Sequence, residues 1–165
     1  MRMSLNKMSL DEQIEALIQD APSADQTQAY VAAIAPALKS LAQQLNHLHY
    51  YIVQTLDQDW ALTTLSKDTQ AGEEKTVIYA FPSLQDVSQS PYPMHDPNLI
   101  ALPVPVIHIL FQMLAIDVVE STIFFETPGN LMVGTEIRRI QLQGLVEAEF
   151  LRQSLPQTSL PPDIA

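Results

Sequence analysis

The chain has 165 residues, no cysteine and a formal net charge of −11. That length supports one domain with its own core, and 47% apolar against 16% charged residues describes a globular protein, not a disordered one. Without cysteine there is no disulfide, thiolate nucleophile or cysteine-ligated metal, and so acidic a surface repels phosphate, which argues against nucleic acid and anionic lipid as partners.

No apolar signal segment separates Met1 from the acidic Asp11, Glu12 and Glu15, which fits a cytoplasmic chain. Ser9-Leu-Asp-Glu12 has the form of a capping box, and Leu10, Ile14, Leu17 and Ile18 follow at helical spacing. Ser23-Ala-Asp-Gln26 is a second box. It leads into Tyr30, Ile34, Leu38, Leu41, Leu45 and Leu48 on one helix face, with Pro36 predicted to kink or break the helix near Ala35. These two helices, residues 1–48, are read as an N-terminal arm that packs on the core or on a second subunit.

From Tyr50 the texture becomes β-branched and aromatic. Tyr50–Leu56 and Trp60–Leu65 read as a hairpin closed by Asp57-Gln-Asp59, and 67–74 as a looser turn. Thr76–Phe81 has apolar residues on both faces, as a central strand does. Ser83 suits the cap of a short helical turn through Val87. The segment from Ser88 to Asn98 is a Pro-rich loop, and Pro103 confines a strand over Leu99–Val104 to an edge or an end.

A helix from Pro105 to about Ile116, a strand over Val118–Thr127 and a last helix from about Thr135 to Arg152 complete the core. Ile137, Ile140, Leu145, Ala148 and Leu151 are expected to face inward in that last helix. The run from Pro97 to Ile116 carries no formal charge, but Pro97, Pro103 and Pro105 leave only a helix of ordinary globular length, so a membrane span is not expected. The fold class is α+β: a small mixed β-sheet, hairpin plus central strands, packed with helices behind the helical arm. The core spans residues 49–153, and 154–165 is a Pro-rich tail expected to be flexible.

Candidate chemistry is sparse. His47 and His49 are two apart on one strand face, but two ligands do not make a metal motif, and no metal or cofactor is expected. His108 reads as a core histidine bonded to backbone. His95 and Asp96 in the Pro-rich loop lack a nucleophile and an oxyanion site, so no catalytic residue is assigned. Pro128-Gly-Asn130 reads as a turn, and its backbone N–H groups can hold an anion. Arg138 and Arg139 point about 100° apart on a helix and are not expected to face one ligand together, with one expected to pair with a carboxylate such as Glu136 or Glu126.

The strand and turn Val77-Ile-Tyr-Ala-Phe-Pro-Ser-Leu84, the Pro105-led helix, and a closing strand with Pro128-Gly-Asn130 before a final helix form a set. In these features residues 76–146, less than half the chain, resemble the SseB-like domain of bacterial proteins linked to serine sensitivity and type III secretion. Pro82 stands where that pattern has Thr, and Thr127 where it has Asn. The resemblance implies an α+β fold and no established enzymatic activity. The Gln-rich, cysteine-free texture also resembles that of some cyanobacterial proteins.

Three functional readings follow. The first is a non-enzymatic interaction or assembly factor with a protein partner, a basic one among the candidates, or self-association through the N-terminal helices, using Tyr51, Trp60 and Tyr79 as aromatic anchors. The second is a small-molecule domain with His95 and Asp96 beside Gly129 and Asn130. The third is a peripheral membrane factor using the Leu99–Ile116 run.

Overall fold

A computed structural model describes residues 8–21, 27–66 and 73–154. In chain order these form α1 (Leu10–Asp20), α2 (Thr27–Ala42), β1 (His49–Thr55), β2 (Thr63–Ser66), β3 (Glu74–Ala80), α3 (Leu84–Ser88), β4 (Leu99–Pro105), α4 (Val106–Ala115), β5 (Ser121–Phe125), β6 (Gly134–Arg138) and α5 (Arg139–Ser154). The fold is α+β. The second capping box, most of the 67–74 turn and the tail beyond Ser154 lie outside the described residues.

Four strands form one mixed sheet in the order β2-β3-β5-β6, with β3 and β5 parallel and the other pairs antiparallel. β1 and β4 form an antiparallel ribbon. Bridges Tyr51–Phe81 and Gln54–Trp60 tie this ribbon to the ends of β3 and of the segment leading into β2. The hairpin predicted after β1 is therefore only begun: Ala61 N–H reaches Val53 O at 2.8 Å, and the chain then leaves β1 to pair with β3.

The β1–β4 register explains where the prolines fall. Tyr51 gives both its N–H and its C=O to Phe81, and Val53 gives its C=O to Ala61. Antiparallel pairs alternate between bonded and non-bonded positions. The β4 partners of these residues, Pro103 and Ala101, therefore turn their backbone groups outward, and Pro105, opposite His49, has the same parity. Pro103 and Pro105 thus cost no ladder bond and offer no N–H to another strand, which blunts this edge against β-pairing.

The main core lies between the sheet and α2, α4 and α5, and includes Ile34, Leu38, Leu41, Tyr50, Ile52, Ile78, Ile107, Leu110, Phe124, Leu142 and Val146. The helices expected as an arm share this core with the sheet: α2 packs on α5, α1 and α4. A second cluster on the opposite sheet face gathers Val53, Phe81, Val87 and Phe125, with Tyr51, Tyr79 and Tyr92 packed against it. β3 is buried on both faces, as its sequence predicts.

Two expectations change. Of the kink or break expected near Ala35, the break does not occur: helix α2 runs through Pro36. Pro36 and Ala32 are exposed, so the carbonyl that loses its partner is on the solvent side. The neighbouring Ala33 carbonyl takes a bond from Gln153 Nε2 at 2.9 Å. At the C-terminal end, Gly134–Arg138 is a sixth strand and the last helix starts at Arg139. A Cβ at Gly134 would lie 2.9 Å from Ile123 Cγ2 and 3.1 Å from Phe124 O, so the absence of a side chain lets β6 close on β5. The later start resets the helix phase. Leu142 and Val146 are buried, whereas Ile140 and Leu151 are 67% exposed and Ala148 is exposed.

Helix α4 starts without a capping side chain. Its first-turn donors are met from elsewhere: Val106 N–H reaches Leu48 O at 3.0 Å, and Ile107 N–H reaches Gln13 Oε1 at 3.0 Å. Gln13 is itself buried on α1, which begins at the predicted capping box, and its Nε2 donates to Leu48 O at 2.8 Å and Met8 O at 3.2 Å. Leaving a buried N–H without an acceptor costs about 1–3 kcal/mol. Gln13→Ala is thus expected to lower stability by about 2–3 kcal/mol and the melting midpoint by roughly 4–12 °C. Gln13→Met, which keeps the volume, should recover little of it, while Gln19→Ala on the exposed face leaves the midpoint in place. Thermal unfolding followed by circular dichroism measures all three, and recovery by Met would reduce Gln13 to a packing role.

Candidate functional site

The most distinctive open surface lies where α4 stops covering the β1–β4 ribbon. By strand parity Tyr50, Ile52 and Gln54 of β1 share a face with Val104 and Leu102 of β4. Tyr50, Ile52 and Val104 are buried under the core, but Gln54 and Leu102 lie beyond it. Together with Gln58, Trp60, Pro103, Pro105, His108 and Gln112 they line a groove of about 450 Å³.

Each wall has a local cause. Trp60 is set by its bridge to Gln54, and its ring lies 6.2 Å from that of His108 at 39°. Gln58 holds a left-handed φ of 72° in the tight turn, where its N–H bonds Thr55 O at 2.9 Å. His108 and Gln112 are one helical turn apart on the outer flank of α4.

Among the described residues no carboxylate, lysine or arginine lines this groove, although the chain carries a net charge of −11. Among the described residues, the side chains of Gln54, Gln58, Trp60, His108 and Gln112 form no hydrogen bond to the protein. Elsewhere Gln13, Gln28 and Gln153 all commit their amides to backbone carbonyls. The groove therefore combines apolar walls with a row of free amide, indole and imidazole groups. Acidic groups stand at its margins: Asp57 and Asp59 flank Gln58 in the exposed turn, and Asp20 lies with His108 on an adjoining cavity.

The residues singled out from sequence are distributed over three places. Tyr51 and Tyr79 pack against the second cluster, where the Tyr79 ring is 5.4 Å from that of Phe125. Trp60 packs against the main core on the other side of the sheet, so the three aromatics do not form one surface. His95 is exposed, and Asp96 closes its own loop by accepting Asn98 N–H at 2.9 Å. Pro128 and Gly129 form a type II turn, with φ 86° at Gly129 and an Asn130 N–H to Thr127 O bond of 3.0 Å.

The cavity beside that turn is lined by Ser83, Gln85, Asp86, Gln89, Pro128, Gly129 and Leu131, and neither His95 nor Asp96 contributes to its wall. Asn130 accepts Met132 N–H at 2.9 Å within its own loop. The buried Asp86 carboxylate accepts from Gly129 N–H at 2.8 Å and from Ser83 Oγ at 2.7 Å, which fixes the turn to α3.

The histidine pair does not assemble a metal centre, and among the described residues no group of three potential ligands occurs. The His47 ring bonds Glu126 O at 2.8 Å, and Tyr50 OH donates to Glu126 Oε1 at 2.5 Å. Burial and the neighbouring Glu126 carboxylate push the Tyr50 hydroxyl pKa far up, so it stays a donor. Arg138 closes β6 and Arg139 opens α5, and both line one cavity; the Arg138 charge acts on Glu136, as expected of one of the pair, whereas Arg139 pairs with neither glutamate. Its guanidinium donates to Met113 O, Leu114 O and Ile116 O at 2.5–2.8 Å, capping the C-terminal end of α4, and lies 3.8 Å from Asp117. Nor is His108 the core residue expected; it is exposed on the groove. Gln54, Gln58 and Gln112 carry no motif, and only the fold brings them together.

No protein-family model matches the chain, and no curated protein or solved structure matches it. Among the described residues no helix is long and apolar enough to cross a membrane. The uncharged run from residue 97 is divided between β4 and the ten-residue α4, whose Val106, Ile107, Ile109, Leu110 and Met113 are buried.

Burial lowers the pKa of His49, helped by the charge of His47. Packing around His108 lowers its pKa too, with Asp20 opposing. Both rings hold a proton less readily when folded than when unfolded. Their effect on folding is absent well above the unfolded value of 6.5, and stability is lost as pH falls below it. Glu136, with a lowered pKa, acts only in the window below 4.5. The melting midpoint is expected to fall between about pH 7 and pH 5, and the His49→Gln/His108→Gln pair to flatten that slope. An unchanged slope in the double variant would assign the pH response to other groups.

Proposed function

We propose that this chain is a non-enzymatic protein-interaction module that receives a short, uncharged, proline-containing segment of a partner in the Trp60 groove. The observation that carries the reading is the row of uncommitted side-chain donors in a groove whose described lining is uncharged, on a protein of net charge −11. A polyproline-type segment has no internal hydrogen bonds and turns its carbonyls outward. The Trp60 indole N–H and the amides of Gln54, Gln58 and Gln112 supply matching donors, while Trp60, Pro103 and Pro105 supply flat apolar contact. Proline in the ligand reduces the ordering cost of binding.

Strand addition at β4 is the less favoured mode, because Pro103 and Pro105 remove outward N–H groups from that edge. Asp20, Asp57 and Asp59 at the margins favour a segment with basic flanks, which accelerates encounter more than it tightens the complex. A cytoplasmic setting and the SseB-like resemblance of residues 76–146 belong to the same reading.

Trp60 is the chain's single tryptophan, so its fluorescence reports on the groove alone. A displayed library of proline-containing peptides with lysine flanks is expected to yield binders that shift this emission saturably. Trp60→Ala, measured by calorimetry, should weaken them by roughly thirtyfold or more, as for a central aromatic anchor. The same variant must keep the circular dichroism spectrum. Binders that tolerate Trp60→Ala, or a library without binders, would refute the assignment.

A further inference from the structure

A second, independent site lies on the opposite side of the sheet. The second cluster covers most of that face, but its far corner is polar. Lys75 of β3, Ser121 of β5 and Glu136 and Arg138 of β6 share this corner by strand parity, with Ser121 directly opposite Arg138. With Glu120, Arg139, Ile140 and Gln143 of the adjoining segments, Lys75, Glu136 and Arg138 enclose a concave space of about 470 Å³.

Cations are scarce in this chain, with eight in all. Five fall among the described residues, and three of those five, Lys75, Arg138 and Arg139, line this one cavity. Their commitments differ. The Arg139 guanidinium is held by the carbonyls at the end of α4. Lys75 pairs with Glu136, which also accepts from Ser121 Oγ at 2.6 Å. Arg138 makes no side-chain hydrogen bond among the described residues, so its planar fork of donors is available.

We infer that this corner binds a single small oxyanion group, a carboxylate or a phosphate, with Arg138 as its principal donor and Gln143 as its neighbour. Three cations against two carboxylates leave the lining with one positive charge, which suits one anionic group. A polyanion would meet the repulsion of the whole acidic protein. The ionised state of Glu136 agrees with a positive local field. Burial acts to raise its pKa, yet hydrogen bonds from Lys75 and Ser121 and the charges of Lys75 and Arg138 hold it below the usual value.

The test is a titration of the full chain with inorganic phosphate and, separately, with acetate, followed by amide NMR shifts against sodium chloride at matched ionic strength. Saturable shifts centred on residues 75, 138 and 143 are expected. Phosphate alone saturating would assign a phosphoryl group, and both saturating would assign a carboxylate-type site. Arg138→Gln, which breaks no side-chain hydrogen bond among the described residues, should weaken the effect about tenfold or more, while Lys39→Gln, remote from the cavity, leaves it unchanged. Shifts that grow linearly and match those in chloride, or equal affinity in Arg138→Gln, would overturn the inference.

Discussion

Helix α4 is the constraint on which the remaining architecture depends. It is short, almost wholly apolar and buried along Val106, Ile107, Ile109, Leu110 and Met113. A buried helix must still satisfy the free N–H and C=O groups at its two ends, and water cannot do so inside the core. Here Leu48 O and Gln13 meet the first-turn donors, and Arg139 meets the last carbonyls. These partners come from the start, the middle and the end of the chain. Once they engage, α1 is fixed to the β1 entry and α5 is fixed at its first residue, so the first and last described helices are positioned by one central helix.

The surface follows from that arrangement. Helix α4 lies over the Tyr50, Ile52 and Val104 part of the β1–β4 ribbon, and the Trp60 groove runs along its flank over Gln54 and Leu102. Their spacing of four puts His108 and Gln112 together on that flank, where neither side chain bonds another described residue. Acidic residues remain outside the groove, so the charge that repels polyanions does not oppose an uncharged segment there. On the other face the second cluster stops short of the β6 end, and the scarce cations collect in that gap.

Much of the fold is legible in the sequence because it rests on local signals. The Ser9 capping box, the two-faced apolar pattern of β3, the Ser83 cap and the edge placement of Pro103 each have a cause within a few residues. β6 is not legible, since Thr135-Glu-Ile-Arg138 fits a first helical turn as well as a strand. The close approach at Gly134 that decides between them comes from β5, nine or more residues earlier in sequence. Pro36 misleads for a related reason: a proline breaks a helix only where the lost bond cannot be replaced, and its solvent-facing position is a tertiary fact.

The site is less legible than the fold. Trp60 stands out as the chain's single tryptophan, but its neighbours are glutamines and prolines that carry no motif. Gln13 and Arg139 look like ordinary helix-surface residues, and only the burial of α4 gives them their roles. Native-state hydrogen exchange reads the sealing of α4 residue by residue. First-turn helix amides usually exchange fast, but if Leu48 and Gln13 seal the start of α4, the Val106 and Ile107 amides will exchange as slowly as those of Leu110 and Met113, through global unfolding only. Exchange of Val106 and Ile107 at the rate of an exposed helix end would mean that Leu48 and Gln13 do not seal α4.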